Sequence, residues 1–580
     1  MNKLNPLRSR LAVWAAAAGL SLMVAACGGS GDAPLRRKTH LGEVIGAEDA
    51  RSGTYAWKGI PFARPPVGAL RWRAPQEPEA WTTARAATAF GNACAQYGRI
   101  YGPGANNRYD LSIASTLGQA VGSEDCLYLN VWRPATSETN LPVIVFFHGG
   151  SNVSGYTADP VYDGAALAKA ANAIVVTPNF RLGVLGFFNL PQLRTGDAAA
   201  DSGNFTLLDH IKALQFVRTN AQAFGGNPQN VTIMGQSAGA INVWALQTSP
   251  AMVSSSPRLF HRTVPLSGGI SLASSLPPGS LPMISPASTY LLQGNALLQN
   301  LLIADGLATD AASAQAYVAS RSPDEIAQYL RSKTPAQLFA TLLIKLAPLG
   351  LAGSGPIPDG TVVAADPIAA IQAGQFVNVP TLAGNTRDEG KLFPSFLPLV
   401  GGTGNARLVS DAELFTNHYG YNPNAAPQTR IDQWIAPSYL PVDAPVSGFT
   451  ARAEALNRVF FLNNRDSVLN ALKAQQARVW YYRFDWDRQP APWNDIYGAV
   501  HTADLPFIFG NFGPSLFGNV WFSTANQPGR QELSAAMMQT LAAFARNGDP
   551  NTAALGVNWP NWPATLVFNA SPTARSISVQ

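Results

Sequence analysis

Charge is scarce in this 580-residue chain: Asp, Glu, Lys and Arg together make up 13% of it, and the formal net charge is only +5. The densest basic run is Arg36-Arg37-Lys38. Nucleic acid is therefore not an implied partner, because phosphate backbones are met by concentrated basic surface. Cysteine is rarer still, at three residues, and no Cys-x-x-Cys pair, His-Glu-x-x-His helix or Walker A loop occurs. No metal and no nucleotide cofactor is implied. What is abundant is apolar: 47% of residues are hydrophobic, beside 51 Gly and 44 Pro. That is too apolar for a disordered chain and too polar overall for a many-span membrane protein.

The first residues form a targeting pattern. Lys3, Arg8 and Arg10 precede a largely apolar stretch at 11–26, which is short for a bilayer span of about 20 residues. It ends in Val24-Ala25-Ala26-Cys27, then Gly28-Gly29-Ser30-Gly31. This pattern resembles the lipobox of bacterial lipoproteins. The resemblance implies a signal peptide at 1–26, lipidation of Cys27, a tether over 27–39 and a mature chain of net charge +2. An exported, lipid-anchored protein is expected, in the outer membrane because Gly28 replaces the Asp that retains lipoproteins at the inner one. Cys94 and Cys126 then remain as a pair in an oxidising compartment. A disulfide is predicted, closing a loop of about 30 residues and stabilising by roughly 3–4 kcal/mol.

Along the mature chain, short apolar runs alternate with helical periodicity. Residues 142–147 (Pro-Val-Ile-Val-Phe-Phe), 173–177 (Ala-Ile-Val-Val-Thr) and 231–234 read as buried strands. Within 207–224, Leu208, Ile211, Leu214, Gln215 and Val217 fall at near-helical spacing. The alternation predicts an α/β fold, a central mostly parallel sheet flanked by helices. Stretches near 270–350 and 410–478 read as helical insertions, and no internal repeat or linker divides 40–580 into separate domains.

The chemistry concentrates at Gly235-Gln236-Ser237-Ala238-Gly239, which follows an apolar strand and precedes an Ala-rich helical stretch. That context is what a nucleophile elbow requires: a tight turn that lifts Ser237 to a helix N-terminus. A serine hydroxyl needs a base and an orienting carboxylate, in the chain order Ser, acid, His. Of six histidines, His261 follows Ser237 too closely, and His418 reads as a surface or packing residue. His501, in a loop before an aromatic-rich segment, is the candidate base. The strand-like stretch 379–384 leads to Asn385-Thr386-Arg387-Asp388-Glu389, so the acid is Asp388 or Glu389.

Further motifs carry a resemblance. They are Gly59-Ile60-Pro61-Phe62-Ala63-Arg64-Pro65-Pro66-Val67-Gly68 with Leu70-Arg71-Trp72, then Ser123-Glu124-Asp125-Cys126-Leu127-Tyr128-Leu129-Asn130. Asn179-Phe180-Arg181-Leu182-Gly183 and Phe224-Gly225-Gly226-Asn227-Pro228 follow. From about residue 40 to the C-terminus the chain resembles the type-B carboxylesterase/lipase family of α/β-hydrolases, which includes the cholinesterases. The resemblance implies a serine carboxylesterase with Ser237 as nucleophile, Glu389 as acid and His501 as base. It implies Ser267 in support of the acid, and it supports a Cys94–Cys126 bridge. Backbone N–H groups of Gly150, Ser151 and Ala238 are implied as the oxyanion hole.

Two departures stand out. Ser151-Asn152 replaces the usual third glycine of the oxyanion loop, and Gln236 stands where the family commonly has Glu. With no Trp in the 94–126 loop, only Tyr97, Tyr101 and Tyr109, a platform for quaternary ammonium is not expected. The expected substrate is a small-molecule or polymeric ester. The rival readings are an interfacial lipase whose lid comes from 270–350, and a non-catalytic binding or adhesion module, which the intact triad residues count against. Nothing in the residues selects an oligomeric state.

Overall fold

The computed structural model describes residues 34–580. Cys27 and the leader therefore lie outside the described residues. Eleven strands form one sheet. In chain order they are β1 Ala47–Asp49, β2 Thr54–Pro61, β3 Tyr128–Pro134, β4 Leu141–Phe147, β5 Ile174–Pro178 and β6 Gly226–Gln236. Then come β7 Arg262–Leu266, β8 Thr381–Thr386, β9 Val479–Phe484, β10 Leu566–Ala570 and β11 Arg575–Val579. Across the sheet the order is β11-β10-β9-β8-β7-β6-β4-β5-β3-β2-β1. The run from β10 to β5 is parallel, and antiparallel strands close both edges.

The central strands are continuous apolar runs because both their faces are covered. All seven residues of β4 are buried. Val143, Val145 and Phe147 join one core with Leu207, Leu214 and Val217 of helix α1, Phe205–Asn220. Ile144 and Phe146 point the other way, into a second core with Leu533, Met537 and Phe544 of the long helix Gln527–Asn547. The alternation follows from the period of two along a strand.

The stretch 270–350 carries helices Ala287–Ala304, Ala311–Ala319, Pro323–Ser332 and Pro335–Thr341 and no strand. Ser322 and Thr334 start two of them with capping boxes, each followed by proline at the first helical position. The stretch 410–478 differs from a purely helical insertion. Between helices Asp411–His418 and Phe449–Leu456 it holds only short 3₁₀ turns. Pro423, Pro427, Pro437, Pro441 and Pro445 break that interval, since proline lacks the N–H a helix needs. The predicted tether also ends earlier than 39: Arg36–Lys38 form a strand paired with Glu43–Ile45, where backbone pairing holds them to the fold. Among the described residues no helix is long and apolar enough to cross a membrane.

Candidate active site

Four consecutive parallel strands deliver the candidate residues to one edge of the sheet, their carboxyl ends, where open α/β sheets bind ligands. Ser237 follows β6, Ser267 follows β7, Glu389 follows β8, and His501 lies in the excursion after β9.

Ser237 is the N-cap of helix α2, Ala238–Gln247, and is held at φ 57°, ψ −124°. Its N–H donates to Leu266 O at 2.8 Å, which ties the turn to β7. The flanking glycines are needed for space. A Cβ on Gly235 would lie 2.2 Å from Gly239 O, and one on Gly239 would lie 2.1 Å from Phe147 O. The strained serine is therefore fixed from both sides, as an elbow requires.

The two acids that residue type alone leaves open separate cleanly, with Glu389, the one the resemblance implied, in contact with His501. Asp388 Oδ2 accepts from Ala499 N at 2.8 Å and from Arg387 Nη2 at 2.8 Å, so it braces the loop that carries His501. Glu389 is fully buried and its Oε2 meets His501 Nδ1 at 2.5 Å. Its Oε1 accepts from Asn385 Nδ2 at 3.0 Å and Thr386 N at 2.9 Å. Burial alone pushes the carboxyl pKa up. The charge and hydrogen bond of His501, with Ser267 and Asn385, outweigh that and hold Glu389 below the ordinary carboxylate value. Ser267 faces the carboxylate, though its hydroxyl makes no hydrogen bond of standard geometry.

His501 is buried, with Phe393 and Phe461 rings 5.1 and 5.3 Å away. Because Nδ1–H donates to a carboxylate, the Nε2 lone pair faces the elbow. There it meets the Gln236 amide nitrogen at 3.2 Å. The structure thus brings Glu389 and His501 into contact and sets Ser237 one residue from the amide on Nε2, without a Ser237–His501 hydrogen bond.

The loop His148-Gly149-Gly150-Ser151-Asn152 follows β4 directly. Ser151 and Asn152 adopt φ 56° and 55°, so two non-glycine residues take the left-handed conformation. Asn152 tolerates it because its side chain is buried and exchanges hydrogen bonds with Asn242, at 2.9 and 3.3 Å. Val153 and Ser154 N–H groups close the turn on Gly150 O, each at 3.0 Å. Gly150, Ser151, Ala238 and Ser237 all line one cavity of about 580 Å³, within the ordinary range for small-molecule sites.

The family profile described as "Carboxylesterase family" matches residues 33–574. The chain belongs to the carboxylesterase family. Para-nitrobenzyl esterase of Bacillus subtilis (strain 168) is 32% identical over 543 residues, covering 93% of this chain and 95% of that protein. Cocaine esterase of Homo sapiens is 31% identical, covering 97% and 91%. Among solved structures, a carboxylesterase from Geobacillus stearothermophilus superposes with a TM-score of 0.68 at 29% identity, covering 94% of this chain and 98% of that one. This carboxylesterase is accordingly a carboxylic ester hydrolase of the α/β-hydrolase fold, and the serine esterase reading stands.

The motifs that carried the resemblance hold the esterase together in pairs. Arg71 of Leu70-Arg71-Trp72 forms a two-pronged ion pair with Glu124, beside Cys126. Arg181 of Asn179-Phe180-Arg181 does the same with Asp209 of α1, both buried. Cys94 and Cys126 are joined by a disulfide. His418 is a packing residue, fully buried and 2.6 Å from the Tyr497 hydroxyl. Sequence reasoning passed over Asp504, buried three residues past His501, and the brace role of Asp388. The Asp504 signal was present, an acid in the same short loop as the base.

Proposed function

We propose that this carboxylesterase works through Ser237, His501 and Glu389. His501 Nε2 takes the Ser237 proton as Oγ attacks the ester carbonyl carbon. Glu389 Oε2 holds Nδ1–H and stabilises the imidazolium that forms. N–H groups of Gly150, Ser151 and Ala238 receive the developing oxyanion. Collapse expels the alcohol, which takes the proton from His501. Water then repeats the sequence on the acyl-enzyme and releases the acid. The observation that carries this reading is the buried Glu389–His501 pair facing a strained Ser237 at the wall of the cavity. The test is turnover of p-nitrophenyl esters of graded acyl length by wild type and Ser237→Ala. Burst and turnover vanish in a variant of unchanged circular dichroism, whereas normal turnover by the variant overturns the assignment.

We also propose that the protein is an exported lipoprotein, anchored through Cys27 in the outer membrane. What supports it is the pattern of 1–27, together with a family match that begins only at residue 33. The lipase alternative gains no support from a lid. The helices between 287 and 346 stay off the cavity wall, which only Met283 and residues 352–355 reach from that part of the chain.

A further inference from the structure

The wall of the catalytic cavity carries a charge imbalance that ester hydrolysis by itself does not use. Three cations, Arg99, Lys391 and Arg407, face one carboxylate, Asp411. Lys391 is already engaged: its Nζ donates to Asp495 O at 2.9 Å, and Asp388, Asp487 and Asp495 lie within electrostatic reach. Arg407 gives Nη2 to Asp411 at 2.5 Å, and its buried Nε finds no acceptor. Arg99 is exposed on the cavity rim and, among the described residues, has neither an ion pair nor a side-chain hydrogen bond.

An unpaired surface arginine is usually just solvated, and three observations set this one apart. Its loop is fixed against the oxyanion loop: Gln96 Nε2 donates to Gly155 O and Gly155 N donates to Gln96 Oε1, both at 2.9 Å. Its neighbours are known: Tyr101, half-buried on the same cavity wall, lies within electrostatic reach of Asp411, Arg99, Arg407 and the buried Asp159. Finally, Asp411 is the sole carboxylate among the residues that line the cavity, and it is already held by Arg407. The aromatic cluster of Phe393, Phe396, Phe460 and Phe461, packed around His501, supplies an apolar part of the wall. The cavity is thus apolar beside the base, and beside Tyr101 it presents Arg99, unpaired, next to the Arg407–Asp411 ion pair.

We propose that the cavity selects esters bearing a carboxylate remote from the scissile bond, with Arg99 as counter-charge and Arg407 as a second donor. Monoesters of aliphatic dicarboxylic acids are the substrate class, their chain on the aromatic wall and their free carboxylate at the Arg99 rim. The proposal rests on the esterase reading above and names its substrate.

The experiment compares kcat/KM for 4-nitrophenyl hydrogen suberate with that for its neutral methyl ester, 4-nitrophenyl methyl suberate. Wild type favours the anion, and added salt erodes the preference by screening. The anion-to-neutral ratio falls about tenfold in Arg99→Met, the size of one charge-assisted hydrogen bond, and is restored in Arg99→Lys. A ratio that survives Arg99→Met, or a wild type that favours the neutral ester, overturns the proposal. A purely structural role for Arg99 slows both esters alike and leaves the ratio unchanged, which also overturns it. If wild type hydrolyses neither ester, the esterase reading fails on its own. Calorimetric binding of the two esters then decides the anion site by the same ratio.

Discussion

Asp504 lies fully buried three residues beyond His501, with Oδ2 accepting from the Tyr482 hydroxyl at 2.7 Å and Oδ1 unpartnered. Burial pushes its pKa up to about 6, the Tyr482 hydrogen bond offsets part of that, and the nearby Glu389 charge adds to the rise. An acid whose pKa is higher folded than unfolded binds its proton more tightly in the native state. Its contribution is thus fully present below the unfolded value of 3.8 and is lost as pH rises through about 6. Wild type is expected to lose stability relative to Asp504→Asn between about pH 4 and pH 6, because Asn keeps an acceptor for Tyr482 and cannot ionise. Urea unfolding across that range is the measurement, and parallel curves for the two proteins refute it. Gln236 gives a second lesson at this scale. Read as sequence it is a lost charge, whereas in three dimensions it is an amide on the lone pair of the base. Asp388 and Glu389, adjacent and chemically alike, could not be told apart by residue type. The register of the loop, with Asp388 paired to Val500 across an isolated bridge, decides which carboxylate reaches His501.

Among the elements, those with a strong local signal were legible. The runs at 142–147 and 231–234 lie within strands, and α1 spans Phe205–Asn220 where the periodicity placed it. The five-proline interval inside 410–478 shows where bulk composition misleads: apolar and Ala-rich segments suggested helix, and proline chemistry overrode them. The 94–126 loop depends on distant partners. Gln96 clasps Gly155, Arg71 grips Glu124, and the disulfide closes it over a separation of 32 residues. Replacing both cysteines by serine is expected to cost about 3–4 kcal/mol of unfolding free energy, chiefly by loosening the unfolded ensemble. Urea titration of the non-reduced proteins checks this, and a loss below about 1 kcal/mol means that the clasp contacts or residual unfolded structure already restrain the loop.

For the whole molecule, one sheet collects strands from residue 47 to residue 579, so the site at its carboxyl edge draws on elements spread along the entire chain. The proposed anchor, Cys27, precedes in sequence the strand that begins at Arg36. The full-length protein expressed in a bacterial host is expected in the membrane fraction, and Cys27→Ser in the soluble or unprocessed fraction. Equal membrane partition of two fully processed proteins would remove the lipoprotein reading. The sequence by itself determined the fold class, the elbow at Ser237 and the short list of partner residues, because tight turns, buried strands and chain order leave local signatures. The resemblance implied Glu389 as the acid, and only the tertiary structure decided that Asp388 braces the neighbouring loop, that Gln236 meets the imidazole lone pair, and that Arg99 and Arg407 share a cavity wall. Those outcomes depend on which side chains distant segments bring within a few ångströms, and spacing along one chain carries no record of that.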